Sequence, residues 1–246
     1  MNARLVRPDG YSAAFRMMPK KEALSICGSL SQPGKMPGHS YSLPAEKCRI
    51  GSLLQHVPRS VCAHCYALRG RYVFPVVRRA MEKRLTSITH PRWVAAVTSL
   101  IRRSGEKYFR WHDSGDIQSI RHLENIVAVC RNLPAVKFWL PTREHQTVEA
   151  YRRMQGEIPP NLCIRYSAHV VDGLLPIKYG MPVSTVSSAL GEPPIGAFRC
   201  PAARKRNKCG RCRACWDATV RIVDFPLKWA AEPRWSERRG NSALKN

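Results

Sequence analysis

From residue 76 onward the apolar positions switch repeatedly between a helical and a strand-like rhythm. Val76, Val77, Ala80, Met81 and Leu85 recur at helical spacing, with Arg78, Arg79, Lys83 and Arg84 on the other side. Residues 91–103 open on Pro91, which suits a first helical turn, and close on Arg102 and Arg103, which complement a helix C-terminus. Tyr108 to His112 reads as a strand that stops at Asp113-Ser114-Gly115-Asp116. An amphipathic helix follows over Ser119 to Cys130, carrying Ile120, Leu123, Ile126 and Val127. Val136 to Leu140 is the next strand and stops at Thr142-Arg143-Glu144; Thr147 to Met154 is helical. Leu162 to His169 and Pro182 to Val186 are two further strands. Strands alternating with helices imply a parallel sheet, so the expected class is α/β: a partial (β/α) barrel with mostly parallel strands. Three successive strands end in polar clusters, at the edge where folds of this class bind ligands.

The flanks are patterned differently. Residues 1–36 are basic and weakly periodic and are expected to form an N-terminal arm, in which residues 26–30 could make a short strand. Residues 37–195 are expected to form the core. Pro33, Gly34, Pro37, Gly38 and Pro44 mark a loop, and Cys48 to Cys65 is an irregular excursion of a length that usually carries function. Residues 196–246 are expected to form a small cysteine-rich metal knuckle with a basic tail.

Composition narrows the function. A chain of 246 residues with 44% hydrophobic content can bury a full core. Its formal charge of +24 opposes compaction through self-repulsion, which points to a polyanionic partner, DNA or RNA first. No apolar run approaches the ~20 residues that spanning a bilayer requires, and the start lacks the apolar stretch of a secretion signal. The expected setting is therefore cytoplasmic, with no membrane partner.

Ten cysteines in a reducing compartment argue for metal binding over disulfides. Cys48, Cys62 and Cys65 form one group; three thiols leave one coordination position open, as an iron–sulfur cluster that touches a substrate or a catalytic zinc needs. Cys200, Cys209, Cys212 and Cys215 form a second, whose two-residue spacers suit a closed zinc knuckle or a fully ligated cluster. Arg199, Arg204, Lys205, Arg206, Lys208, Arg211 and Arg213 surround it and would grip nucleic acid. Cys27, Cys130 and Cys163 are scattered and read as buried apolar residues, as do Trp111, Trp139 and Trp216. His64 reads as a spacer between two ligands. Asp113-Ser114-Gly115-Asp116 offers two carboxylates beside a close backbone approach, although the same tetrapeptide makes a good turn and helix cap.

Pro37-Gly38-His39-Ser40, Cys62-Ala63-His64-Cys65-Tyr66-Ala67, Phe109 to Asp116, Phe138 to Glu144 and the run from Cys200 to Trp216 resemble the phage "gene product 88" family over residues 36–225. More distantly, Cys-x-x-Cys-Tyr-Ala followed by strands ending in Ser-Gly-Asp, Thr-Arg-Glu and near Ser167 is similar to phage proteins with radical S-adenosylmethionine features. That likeness implies that Cys48, Cys62 and Cys65 hold a cluster of the 4Fe-4S type whose fourth iron binds S-adenosylmethionine. It implies that Ser114, Gly115 and Asp116 face the cofactor's ammonium, that Thr142 and Arg143 contact its carboxylate, and that Ser167 contacts its ribose. The Cys200 group would then be an auxiliary cluster or a zinc site, and an external electron donor is implied. Thirteen residues separate Cys48 from Cys62, more than that enzyme class usually shows. The expected function is a metalloenzyme acting on nucleic acid or a nucleotide, with Asp113, Asp116 and Arg143 as catalytic candidates. Two alternatives stand beside it. One is a zinc-dependent DNA base transglycosylase using Asp113 or Asp116 as acid/base or nucleophile; the other is a non-enzymatic zinc protein that binds nucleic acid.

Overall fold

Each expected alternation of strand and helix forms in the computed structural model, which describes residues 16–155, 158–173, 180–189 and 191–227. The strands are β1 (Ser40–Tyr41), β2 (Tyr108–Trp111), β3 (Lys137–Thr142), β4 (Leu162–Ser167), β5 (Val183–Ser187), β6 (Phe198–Arg199) and β7 (Ile222–Pro226). They make one sheet in the order β1-β2-β3-β4-β5-β7-β6, with every pair parallel. The helices are α1 (Lys20–Cys27), α2 (Arg49–Leu54), α3 (Pro75–Ser87), α4 (Trp93–Ser104), α5 (Ile120–Asn132) and α6 (His145–Gln155). Crossovers through α3 and α4, then α5, then α6, return the chain to the same end of the sheet each time. The consecutive order β1 to β5 is a barrel-type winding, but β1 and β6 lie at opposite edges of an open sheet among the described residues.

The core joins the sheet to the inner faces of these helices. Trp93, Ala96, Val97 and Ile101 of α4 and Leu123, Ile126, Val127 and Cys130 of α5 are buried against Phe109, Trp111, Phe138 and Leu140. Tyr41, Trp93 and Trp111 meet edge to face or tilted, and the Trp93 indole N–H donates to the Tyr41 hydroxyl at 3.0 Å. Burying such rings supplies most of the favourable free energy of a domain of this size. Cys27, Cys130 and Cys163 are buried, in keeping with their apolar reading.

Two boundaries differ from the sequence reading. Residues 16–36 do not form a peripheral arm: Met18, Ala23 and Cys27 are buried, and α1 docks on α4 with Ser99 accepting from the Met18 amide at 2.8 Å. Residues 26–30 are not a strand but the end of this helix, where Gly28 at φ 71° donates its amide to the Leu24 carbonyl. An eight-residue helix with only two buried positions leaves too short a periodic trace to read. Residues 1–15 of the expected arm lie outside the described residues. The cysteine-rich segment is likewise not an appended unit. Strand β7 pairs with β5, and the cysteine run forms the crossover from β6 to β7, with Val223 and Asp224 fully buried. The basic tail beyond residue 227 lies outside the described residues.

Candidate metal and ligand site

The C-terminal ends of β1, β2, β3 and β4 converge, and hydrogen bonds knit them together. Leu43, just past β1, donates its amide to the Ser114 carbonyl at 2.8 Å, and the Ser114 hydroxyl donates to the Leu43 carbonyl at 2.8 Å. Gly115 lies under this pair at φ 86°, where an added Cβ would stand 2.5 Å from Leu43 Cβ. We therefore expect Gly115→Ala to cost on the order of 2–4 kcal/mol, from backbone strain plus a clash that cannot relax. A denaturant titration measures it, and a cost under ~0.5 kcal/mol would show that the two loops are not so closely held.

Both aspartates serve this scaffold. Asp113 accepts from the Ser40 hydroxyl, from Ser42 at 2.5 Å and from Tyr72 at 2.7 Å, and its carbonyl accepts from the Tyr66 hydroxyl. Its carboxylate therefore anchors the segment that follows Cys65. Asp116 accepts from Thr142 Oγ1 at 2.6 Å, the Ile117 amide at 2.8 Å and the Arg143 amide at 2.9 Å. It locks the ends of β2 and β3 together. Burial pushes its pKa up to about 6, opposed by those donated hydrogen bonds. Ser114 and Asp116 thus keep only spare lone pairs for a ligand, whereas Arg143 is half-buried with its Nε unpartnered. Ser167 is buried at the end of β4 and accepts from Ser184 at 3.3 Å.

The three-cysteine group lies over the same edge. Cys48 precedes α2; Cys62 opens a short 3-10 turn that Cys65 ends. The Cys48 and Cys62 sulfurs converge on Gly51: a Cβ there would meet them at 3.5 and 3.6 Å and Cys48 Cβ at 2.8 Å. Cys65, Asp116 and Arg143 are all close enough to perturb these two thiols. Burial, the largest cause, raises both above the ordinary thiol value, so a metal centre taken up here would have to displace their protons. Among the described residues, no group of three or more His, Cys, Asp or Glu side chains stands arranged to hold a metal ion. The donor set nonetheless fits a thiolate-held centre, because thiols from two turns face one side-chain-free cradle.

The second group is drawn together by the chain around it. Cys200 donates its amide to the Asp224 carbonyl, Cys209 to the Lys35 carbonyl and Cys212 to the Cys209 carbonyl. Cys215 and Trp216 are buried against Trp139 and Val223. Burial raises the Cys215 and Cys209 thiols, and Cys200 adds to both. Arg204, Lys205, Arg206, Lys208 and Arg211 are exposed around it, while Arg213 lies over the Tyr108 ring at 4.7 Å. Arg199 faces the buried Asp224 at 3.6 Å.

Several contributors were not among the expected site residues. Glu144 accepts the Ile50 amide at 2.9 Å and so ties the Cys48 loop to β3. Arg110 stacks on Trp139 at 4.4 Å and donates to the Tyr66 hydroxyl at 3.2 Å, placing a cation between the two cysteine groups. Tyr72 recurs near Tyr66 with ring centroids 5.8 Å apart. Their place in or beside the motifs was legible, but not their roles, because Glu144 acts through Ile50, Arg110 through Tyr66 and Tyr72 through Asp113, all distant along the chain.

No helix among the described residues is long and apolar enough to cross a membrane. No curated protein and no solved structure matches the chain. A family model described as "Gene product 88" matches residues 15–218, from α1 through both cysteine groups and all the strand-end motifs. With most of its length inside that match, the chain belongs to the gene product 88 family.

Proposed function

We propose that the protein is a metalloenzyme of phage or mobile-element type, acting on nucleic acid or a nucleotide, in which Cys48, Cys62 and Cys65 hold a 4Fe-4S cluster. The observation that carries this reading is the convergence of the Cys48 and Cys62 sulfurs on Gly51, beside Asp116 and Arg143 at the ligand-binding edge of a parallel sheet. When bound, the cluster would supply an electron, taken from an external donor, for reductive cleavage of S-adenosylmethionine. The chain's own residues would then act as follows. Arg143 pairs with the cofactor's carboxylate, spare lone pairs of Asp116 and Ser114 receive its ammonium, and Ser167 lies toward its ribose. The single winding of β1 to β5 supports a partial barrel around this edge. The Cys200 group would hold zinc or a second cluster, and its exposed cations would bind phosphates.

The transglycosylase alternative needs a free carboxylate at Asp113 or Asp116. Both Asp113 oxygens are engaged by hydroxyls, and Asp116 accepts from Thr142 and the Ile117 and Arg143 amides, which favours the scaffold role of each.

Metal analysis after anaerobic purification tests the proposal. Brown protein with about four iron and four sulfide per chain is expected, or about eight if both groups hold clusters. Cys62→Ser should abolish the Cys48-group cluster. Gly51→Ala should lower its occupancy, because the added Cβ fills the cradle and, 2.8 Å from Cys48 Cβ, forces that cysteine to shift. Colourless protein containing only zinc would overturn the cluster assignment.

A further inference from the structure

Two imidazoles stack where β3 and β4 end, in a role that neither the motifs nor the cluster assignment explains. The His145 ring lies 4.4 Å from Tyr166 at 21° and 5.0 Å from His169 at 15°, a near-parallel column of three rings. Tyr166 is fully buried and its hydroxyl donates to Glu149 at 2.5 Å, so the base of the column is fixed. The backbone at Ser167 and Thr142 lies beside the His145 ring, and the backbone at Arg143 beside His169. In both rings Nε2 is buried and without a partner. Burial holds both imidazoles in the neutral form, His145 being pushed down to about 4, and Arg143 contributes to both shifts. A neutral imidazole that donates from Nδ1 presents a lone pair at Nε2.

Arg143, close enough for its charge to act on both rings, has a third unpartnered buried atom at Nε. Buried polar atoms are nearly always satisfied, and leaving one unmade costs ~1–3 kcal/mol, so three together call for a ligand of complementary pattern. Two acceptors beside a guanidinium complement two adjacent hydroxyl donors beside an anion. A 5.0 Å separation between the rings suits vicinal hydroxyls that each donate to one ring.

We propose that His145 Nε2 and His169 Nε2 accept the two hydroxyls of a ribose whose anionic substituent rests on Arg143. The assignment rests on the reading that this edge binds a nucleotide or S-adenosylmethionine, and it names the groups that select ribose over deoxyribose. An α-carboxylate and a 5′-phosphate share the required chemistry, so the anion can come from the cofactor or from a substrate.

The test is calorimetric titration of the purified full chain with S-adenosylhomocysteine, adenosine 5′-monophosphate and a short RNA whose 3′-terminal ribose keeps both hydroxyls, each against its 2′-deoxy or 3′-deoxy counterpart. At least one ribose ligand should bind, and loss of either hydroxyl should weaken it roughly tenfold or more. His145→Phe and His169→Phe keep the stack but lack the lone pair; each should show the same loss for ribose ligands and none for the deoxy ligand that lacks the hydroxyl its own ring accepts. Tighter binding of S-adenosylhomocysteine assigns the site to the cofactor; tighter binding of the phosphates assigns it to substrate. Equal affinity for ribose and deoxyribose ligands on the unaltered protein overturns the proposal even if the variants fail to fold, and so does absence of binding by all three. Iron content is read on the same samples: colourless protein that still selects ribose would sink the cluster and keep the ribose site.

Discussion

Arg165→Met is expected to lower stability by on the order of 3–5 kcal/mol, the largest loss from any single substitution considered. Arg165 sits mid-strand in β4 with none of its surface exposed. Its Nη1 donates to the carbonyls of Val183 at 3.0 Å and Val220 at 2.9 Å; its Nη2 donates to those of Ala214 at 3.2 Å and Asp217 at 3.0 Å. One guanidinium thus fastens β4 to β5 and to the crossover that carries Cys215. Methionine fills much of the volume but removes the guanidinium donor from all of those carbonyls, of which Ala214 keeps the Asp217 amide. Lysine should not rescue it, since a single ammonium cannot span the fork. Chemical denaturation measures the loss. If the Cys200 group holds metal as proposed, its retention is a second readout and should fall in parallel. A cost below about 1 kcal/mol would mean that water replaces the guanidinium at little expense.

The protein should lose stability steadily as pH falls from 7 to 4. His112 and His122 face each other inside the core with ring centroids 5.2 Å apart, and both Nε2 atoms are unpartnered. Burial pushes His112 from its ordinary 6.5 down to about 4 and His122 well below its ordinary value, with His112 adding to the latter. A histidine depressed in the folded state binds protons more readily when unfolded, so its contribution is complete above the unfolded pKa and disappears as pH falls through the folded one. For His112 alone, the window from 6.5 to about 4 corresponds to about 3 kcal/mol. Asp116 opposes this: its raised pKa, about 6, means that the folded state takes that proton first, which stabilises it as pH falls. Four depressed histidines, His112, His122, His145 and His169, outweigh one carboxyl. Unfolding midpoints recorded between pH 7 and pH 4 should fall steadily. His122→Phe, which keeps a ring in the core, should flatten the decline, and an unchanged slope in that variant would remove the pair as its cause.

Which parts of this architecture were legible in advance follows from the range over which each signal acts. The strands at Tyr108, Lys137, Leu162 and Val183, and the helices between them, declare themselves because a buried face imposes its period on consecutive residues. The clusters at Asp113–Asp116 and Thr142–Glu144 were readable for the same reason: strands of a parallel sheet all end on one edge, so local order predicts spatial convergence. The two cysteine groups likewise announce themselves through short spacing.

Roles were another matter, because burial and partner choice are properties of the whole packing. Asp113 looks like a free catalytic carboxylate, yet hydroxyls from Ser40, Ser42 and Tyr72, distant along the chain, engage it. Arg165 looks like one more cation in a chain of net charge +24, yet it is the most deeply held of them, because five carbonyls from elsewhere close around it. Helix α1 left almost no periodic trace, and only its docking on α4 makes it part of the core. Order along the chain suffices for the sheet, its direction and the edge where its polar strand ends gather, since these depend on neighbours a few residues away. Which polar side chains are spent on the scaffold and which remain for a ligand was decided by long-range contacts that fix where water is excluded.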